Sequence, residues 1–519
     1  MTYQEKQNVK MLMEENRKLK EENKTNKKEI VLLNKQIKSK EEVIHDLEKY
    51  DYRGKYEHLT IEHEELKKKH EKLKLELETL RNSLNKDSSN SCKPSSTNGF
   101  KKVVQNNREK TGRKPGREKG YKKEETKYIE EPTEVVEVAN VNKCSCGCCE
   151  LEEVNEVRRQ VVGIKIIPVV KEYKGKKLIC QKCKKEYNPK FPEGINNPIN
   201  YDSKLKSVMT ILNTYANMPE RVVAEIMELL TDNKIQISAA TVGNTVKEFH
   251  KLSQGIIKDM KEEILKAPVI NNDETPINVN GKINQVLGAF TPNLSIMEAY
   301  ATKSKESFVE MNILNRYTGI SLHDHNPIHN LFLASIDAEC NFHVIRKAKE
   351  QYILHKHESI KEWIEFMLAV KLEVDVALSN NKTRLDNEEI KQIRAKYLEI
   401  LDKWDKEYNE AIKGKSVDQI KYYNDERNLK NRLRECIDAH LRFIENFEVD
   451  FTNNLAERGF RRCKTKQKVI GAFRQLEGAK KYCTAMSIIQ TCKKKAMNIL
   501  ESINSVFCGA TKIFDFQQA

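Results

Sequence analysis

No run among the 519 residues is long and apolar enough to cross a bilayer. The N-terminus, Met1-Thr2-Tyr3-Gln4-Glu5-Lys6, leads into a charged helical pattern rather than the apolar stretch of a secretory signal. These absences exclude a membrane partner and lead us to expect a cytoplasmic protein. The disulfide framework of a small secreted domain is missing as well. The 13 cysteines lie in a long chain, where clustered ones are expected to bind metal and scattered ones to be free thiols. Charge balance is also missing. Lys and Arg number 92 against 77 Asp and Glu, a net charge of +15 that favours a polyanionic partner, nucleic acid first. The length allows several domains and at least one full-sized core.

Residues 1–85 carry heptads. Val9, Asn16, Asn23, Ile30, Ile37 and Ile44 share one position; Leu12, Leu19, Asn26, Leu33, Lys40 and Leu47 share another. The pattern slips near Tyr52-Arg53-Gly54 and resumes with Leu59, Leu66, Leu73 and Leu80. β-Branched residues at a with Leu at d favour a parallel dimer, and a buried Asn at a fixes register. The expectation is a homo-oligomer through an N-terminal coiled coil, with a single-chain hairpin folding back at Gly54 as the alternative.

Residues 86–125 turn to Ser, Asn, Lys, Gly and Pro, a basic flexible linker suited to following phosphates. Residues 126–197 carry two cysteine clusters, Cys144-Ser145-Cys146-Gly147-Cys148-Cys149 and Cys180-Gln181-Lys182-Cys183, with strands expected at Val135–Val138 and across Val161–Val170. Four thiolates close a structural Zn²⁺ site, so this reads as a zinc-ribbon-like module. Cys180 with Cys183, and Cys146 with Cys149, keep the Cys-x-x-Cys spacing; Cys144 is the alternative ligand. Residues 198–260 read as helical. A helix from Pro219 to Leu230, a polar turn, and a second helix capped by Ser238 resemble a helix-turn-helix.

Downstream the pattern becomes mixed. An apolar run from Ala267 reaches Asp273-Glu274-Thr275; Gln285–Phe290 and Ser295–Tyr300 alternate as strands around Thr291-Pro292-Asn293. A further short strand from Tyr317 ends at Asp324. Residues 351–447 are charged and amphipathic, an expected helical insertion. Then Thr452-Asn453-Asn454 opens a helix bearing Glu457, Arg458, Arg461 and Arg462, with Thr452, Asn453 or Asn454 expected to cap it through a side-chain oxygen. Two strand carboxylates and one helix carboxylate converging on a point suit two-metal phosphoryl transfer, which needs hard oxygen ligands and open positions. Asp337 competes with Asp324 for this role, and Glu448 with Glu457.

The chain resembles transposases of the insertion-sequence 66 family. Asp273-Glu274-Thr275, His323-Asp324-His325, Cys340-Asn341-Phe342-His343 followed by Arg346, and Asn453-Asn454-Leu455-Ala456-Glu457-Arg458 with Lys464 to Phe473 and Gly478-Ala479 carry the resemblance. The order of coil, linker, cysteine module and helical segment follows the family too. Two features depart from its pattern: the first cysteine cluster is irregular, and Phe342 stands where a small residue is usual. The resemblance implies a multi-domain α+β protein with an RNase H-like core, its first part at 261–350 and its completion at 448–519. It implies a DDE transposase in which Asp273, Asp324 and Glu457 hold two Mg²⁺ or Mn²⁺ ions. Element terminal inverted repeats and target DNA would be the partners, which points to nucleoid association. His343 and Arg346 would support the site, and Arg458, Arg461, Arg462, Lys464 and Lys466 would meet phosphates. A DNA-binding relic without activity is the alternative, and the presence of all three carboxylates in the sequence separates the two.

Overall fold

The computed structural model describes residues 3–49, 53–85, 128–140, 142–152 and 155–516. The basic linker therefore lies outside the described residues. Two compact units emerge, one built from 106–191 with 227–236 and the other from the remainder.

In the larger unit the chain opens with two long helices, α1 (Tyr3–Lys49) and α2 (Arg53–Asn85). They lie antiparallel, with Lys40 paired to Glu62, His63 Nε2 3.2 Å from Glu41, and Lys69 3.7 Å from Glu29. This is the hairpin alternative. The heptad seam is the less exposed stripe, with Leu33 buried, so it is covered within one chain. The slip at residues 52–54 is what lets α2 fold back. Since α1 has 47 residues and α2 33, the start of α1 runs on past its partner, and Met11, Leu12 and Met13 are exposed there.

Among the described residues, the smaller unit holds one short hairpin, β1 (Leu178–Ile179) and β2 (Glu186–Tyr187), with Cys180 and Cys183 in its turn. The strands expected at Val135–Val138 and across Val161–Val170 do not form. Those stretches run without ladder partners, and Val135, Val161, Ile164 and Val169 are exposed. Alternating β-branched residues supply strand propensity, but no described neighbour gives them a surface to pack on.

After the smaller unit's first stretch, α3 (Ser203–Thr214) precedes α4 (Glu220–Leu230), whose residues from 227 on are counted with the smaller unit, and α5 (Ala239–Leu252). Ser238 caps α5 as expected, its Oγ accepting the Thr241 N–H at 3.1 Å. After α6 (Gln254–Ile264) comes the sheet: β3 (Val269–Val279), β4 (Lys282–Phe290), β5 (Ser295–Tyr300), β6 (Ile320–His323) and β7 (Ile336–Glu339), with α7 (Lys305–Met311) between β5 and β6. The order is β5-β4-β3-β6-β7; β3, β4 and β5 are antiparallel neighbours, and β6 and β7 continue parallel to β3. Asn280-Gly281, both at positive φ, close the β3–β4 hairpin in two residues, a turn whose twist matches the flanking strands.

α8 (Asn341–His355) leads into the expected insertion, which is helical: α9 (Glu358–Ser379), α10 (Asn387–Ile412), α11 (Val417–Ile420), α12 (Asn424–Glu435) and α13 (Ile437–Glu445). Both tryptophans of the chain, Trp363 and Trp404, are fully buried in its core. Finally α14 (Asn454–Ile470) and α15 (Leu476–Lys494) cover one end of the sheet, with α16 (Ile499–Phe507) behind. α5 rests on α15, where His250 Nδ1 lies 2.8 Å from Thr484 Oγ1, so the helix-turn-helix-like segment shares the packing of the core.

Candidate active site

Asp273 lies in the middle of β3, and Asp324 directly follows β6. Since Asn271 pairs with Leu322 in parallel register, Asp273 and Asp324 stand level on adjacent chains. Asp337 does not take that place. It pairs with Ser321, further back along β6, and meets His323 Nε2 at 3.4 Å. Glu448 is exposed and acts on Tyr317, whose hydroxyl binds Ala267 O before the start of β3.

Glu457 reaches the centre because α14 is pinned to the sheet. Buried Asn453 accepts from Asn271 Nδ2 at 3.1 Å, donates to Asn272 O at 2.7 Å, and gives its backbone N–H to Cys340 Sγ at 3.2 Å. Its side chain is spent on β3, so the expected side-chain cap of α14 does not form. One turn on, Gly459 and Phe460 face the sheet. A Cβ at Gly459 would sit 2.3 Å from Phe290, and one at Gly288, the cross-strand partner of Asp273, 2.5 Å from Phe460. These glycines let α14 approach, and Phe290 and Phe460 then meet edge-on at 5.2 Å.

His343, on the first turn of α8, joins the carboxylates. Its Nδ1 lies 2.9 Å from Asp324 Oδ1 and 3.2 Å from Cys340 Sγ; its Nε2 lies 4.0 Å from Glu457 Oε1. Burial pushes this imidazole towards neutrality, but Asp324 and Cys340 outweigh it and raise the pKa to about 11. A cation thus sits between two acids. Among the described residues, Asp273 has none in contact. Burial first, then the Asp324 and Glu274 charges, lift its pKa to about 8, against the Glu274 N–H that it accepts and the pull of Lys464. Glu274 behaves oppositely. Burial raises its pKa, yet His329 and Lys303 bring it down to about 2, and Asn326 donates to it at 2.7 Å.

The loop after Asp324 is held from both sides. Asn326 and His329 reach Glu274, while His325 Nδ1 meets Glu339 Oε1 at 2.7 Å. Buried Glu339 also takes Arg432 Nε at 3.1 Å from α12 and His440 Nε2 at 3.1 Å from α13. Burial works against its charge, but the hydrogen bonds from His325 and His440 and the charge of Arg432 hold its carboxyl well below the usual range.

A family model described as Transposase IS66 family matches residues 223–481, the span that holds Asp273, Asp324, His343 and Glu457. The chain belongs to the IS66 transposase family. No curated protein matches it.

In this family member the expected phosphate contacts divide. Arg458, Arg461 and Lys464 are exposed on α14, and Lys464 lies within electrostatic reach of Asp273. Arg462 is exposed but stacks on Tyr215 at 4.4 Å. Arg346 stacks on Phe342 at 4.6 Å, which gives the unusual aromatic a packing role. Lys466 is a correction. It is buried, donates to Asn213 O at 2.7 Å, and burial brings its pKa down to about 8. The helical period turns it inward with Cys463 and Phe460, so it is no phosphate contact.

The cysteine turns also depart from expectation. Cys144 N donates to Cys148 O and Gly147 N to Cys144 O, with Gly147 at φ +92°. The second turn repeats this design: Cys180 N to Lys185 O, Lys184 N to Cys180 O, and Lys184 at φ +57°. In each, the first thiol has its pKa lowered, by the backbone N–H of Cys146 for Cys144 and of Cys183 for Cys180. The geometry therefore pairs Cys144 with Cys146 and leaves Cys149 outside the turn. Among the described residues, no three of these sulfurs come within 4.8 Å, so the two turns are formed but not joined.

Sequence reasoning missed Asn453 as a pin, Glu339 as a hub and Cys340 as a neighbour of Asp324. The Asn453-Asn454 doublet was visible, but nothing local told a cap from a cross-strand tie.

Proposed function

We propose that this chain is a DDE transposase that hydrolyses phosphodiesters at element ends and transfers the exposed 3′-OH to target DNA. The reading rests on Asp324 and Glu457 flanking His343, with Asp273 close enough to Asp324 to feel its charge, in a member of this family. Strand order supports an RNase H-like core, because a three-stranded antiparallel meander is extended by two parallel strands beside its first.

The three carboxylates are hard oxygen donors, and the crowding that lifts Asp273 to about 8 is the mark of a place short of positive charge. Asp273, Asp324 and Glu457 would hold two Mg²⁺ or Mn²⁺ ions, which activate the attacking oxygen and stabilise the leaving one. The chain's own groups do the rest. Asn453 and the two glycines fix Glu457; Glu274 and Glu339 hold the Asp324 loop. His343 orients Asp324 and Glu457, and Arg458, Arg461 and Lys464 draw the phosphate backbone across the open side.

Zinc would join the two cysteine turns through Cys144, Cys146, Cys180 and Cys183. Each turn already offers a thiol whose charged form backbone N–H groups favour, and the exposed extended segments around them need a staple. The overhanging start of α1 is the surface left for a second copy, consistent with an oligomer that holds two DNA ends.

The test is cleavage of labelled end DNA with Mg²⁺ or Mn²⁺. Asp273→Ala, Asp324→Ala and Glu457→Ala should each abolish cutting while end binding persists. End binding by the wild type without any cutting would favour the relic.

A further inference from the structure

We propose that Asp324, Cys340 and His343 form a binding site for a borderline or soft divalent ion, zinc or cadmium, which excludes hard ions from the same centre. The inference rests on the reading above and extends it to the centre's metal selectivity.

One oxygen, one sulfur and one nitrogen lie within 4.8 Å of each other. His343 Nδ1 is 2.9 Å from Asp324 Oδ1 and 3.2 Å from Cys340 Sγ. Tetrahedral zinc binds such atoms at about 2.0–2.3 Å, which sets neighbouring ligands roughly 3.3–3.7 Å apart. A shift of a few tenths of an ångström opens the group to that spacing, with a fourth position left for water. The surroundings are those a zinc site needs. His343 Nε2 lies 4.0 Å from Glu457 Oε1, so a small turn of the ring brings it to a carboxylate of the kind that fixes a ligating histidine. Cys340 Sγ accepts the Asn453 N–H at 3.2 Å, and Cys340 itself stands at the N-cap of α8, so the sulfur is held in place beside Asp324 and His343. Magnesium and manganese ignore the sulfur, whereas zinc and cadmium prefer it. Asp324 cannot serve both centres, so occupancy by the softer ion stops chemistry that depends on the harder one.

The experiment uses full-length protein with its cysteine module loaded, in zinc buffered by a competing chelator. Bound zinc per chain and Mg²⁺-dependent cleavage are followed together, and cadmium is used as an optical probe. The expected result is one further zinc per chain whose binding parallels loss of cleavage. Its affinity should fall at least about tenfold in Cys340→Ser and in Asp324→Asn. Cadmium should add a thiolate charge-transfer band that Cys340→Ser lacks. Equal zinc content and affinity in the wild type and both variants would overturn the proposal. Where Cys340→Ser does not fold, Asp324→Asn, at a partly exposed position, decides alone. The binding readout does not depend on cutting. A chain that takes this zinc yet never cleaves DNA supports the site and removes the functional reading; one that cleaves with Mg²⁺ but takes no such zinc does the reverse.

Discussion

At the scale of single residues the site is governed by what crowds Asp273. Its raised pKa means that folding of the ion-free protein takes up a proton between about pH 4, the ordinary carboxylate range, and about pH 8. This group's contribution to stability is therefore largest at low pH and is lost as pH rises through that window. Asp273→Asn should remove that part of the loss, which urea unfolding at a series of pH values would reveal as a flatter profile. An ion that binds the carboxylate must also displace the proton. Titration of Mg²⁺ or Mn²⁺ calorimetrically, in two buffers of different ionisation enthalpy, should show proton release below about pH 8 that is absent from Asp273→Asn. Space matters as much as charge. Gly459 faces Phe290 so closely that an added methyl forces α14 outward. Gly459→Ala should cost about 1–3 kcal/mol by overpacking and lower cleavage more than end binding, because Glu457 moves with the helix. Unchanged melting and unchanged cleavage in Gly459→Ala would mean that the close approach does not matter.

At the scale of elements, the helical insertion is tied to the site by buried charge. Glu339 closes β7 and accepts from His325 beside Asp324, from Arg432 on α12 and from His440 on α13. Removing one partner leaves a buried charge uncompensated, so Arg432→Ala should destabilise the chain by about 3–5 kcal/mol in denaturant unfolding. The pair of changes Glu339→Gln with Arg432→Met should recover much of that loss, since neither charge then remains. Trp363 and Trp404, both inside the insertion, make their fluorescence the natural probe. The same elements explain what was legible beforehand. The strands ending at Asp273 and Asp324 announce themselves through apolar runs that stop at a carboxylate, and amphipathic repeats mark the insertion. β7 was not visible, because Ile336-Asp337-Ala338-Glu339 is short and half acidic; it forms only because β6 offers a parallel edge. The heptads suit a coil between chains or a hairpin within one, and the structure takes the hairpin. Period alone gives the seam and not the identity of the helix that fills it. In the cysteine module, spacing favours Cys146 with Cys149, but the first turn closes through Cys144 N to Cys148 O and Gly147 N to Cys144 O, and within it the Cys146 N–H favours the charged form of Cys144. Metal analysis should thus find zinc lost from Cys144→Ser and kept in Cys149→Ser.

At the scale of the whole molecule the excess of 15 positive charges says that a polyanion is welcome, but not where. Helical geometry supplies the place. On α14 the period sets Glu457, Arg461, Lys464 and Lys468 along one face, with Arg458 beside them, and turns Lys466 under the helix. Only side chains that neutralise phosphates, and so release counterions condensed on the DNA, contribute to the salt dependence of binding. Each phosphate neutralised adds about 0.9 to the slope of log affinity against log salt. Arg461→Ala and Lys464→Ala should therefore each reduce that slope by about 1, and the double variant by about 2. Lys466→Met should leave the slope unchanged, because Lys466 is buried and spends its ammonium on Asn213 O. Fluorescence anisotropy on labelled end DNA across a range of salt concentrations measures the four variants and the wild type under identical conditions. A slope lowered by Lys466→Met as much as by Lys464→Ala would mean that α14 rolls when DNA binds. A slope indifferent to Arg461 and Lys464 would move the DNA path off this helix, and with it the reason for Glu457 to sit among cations.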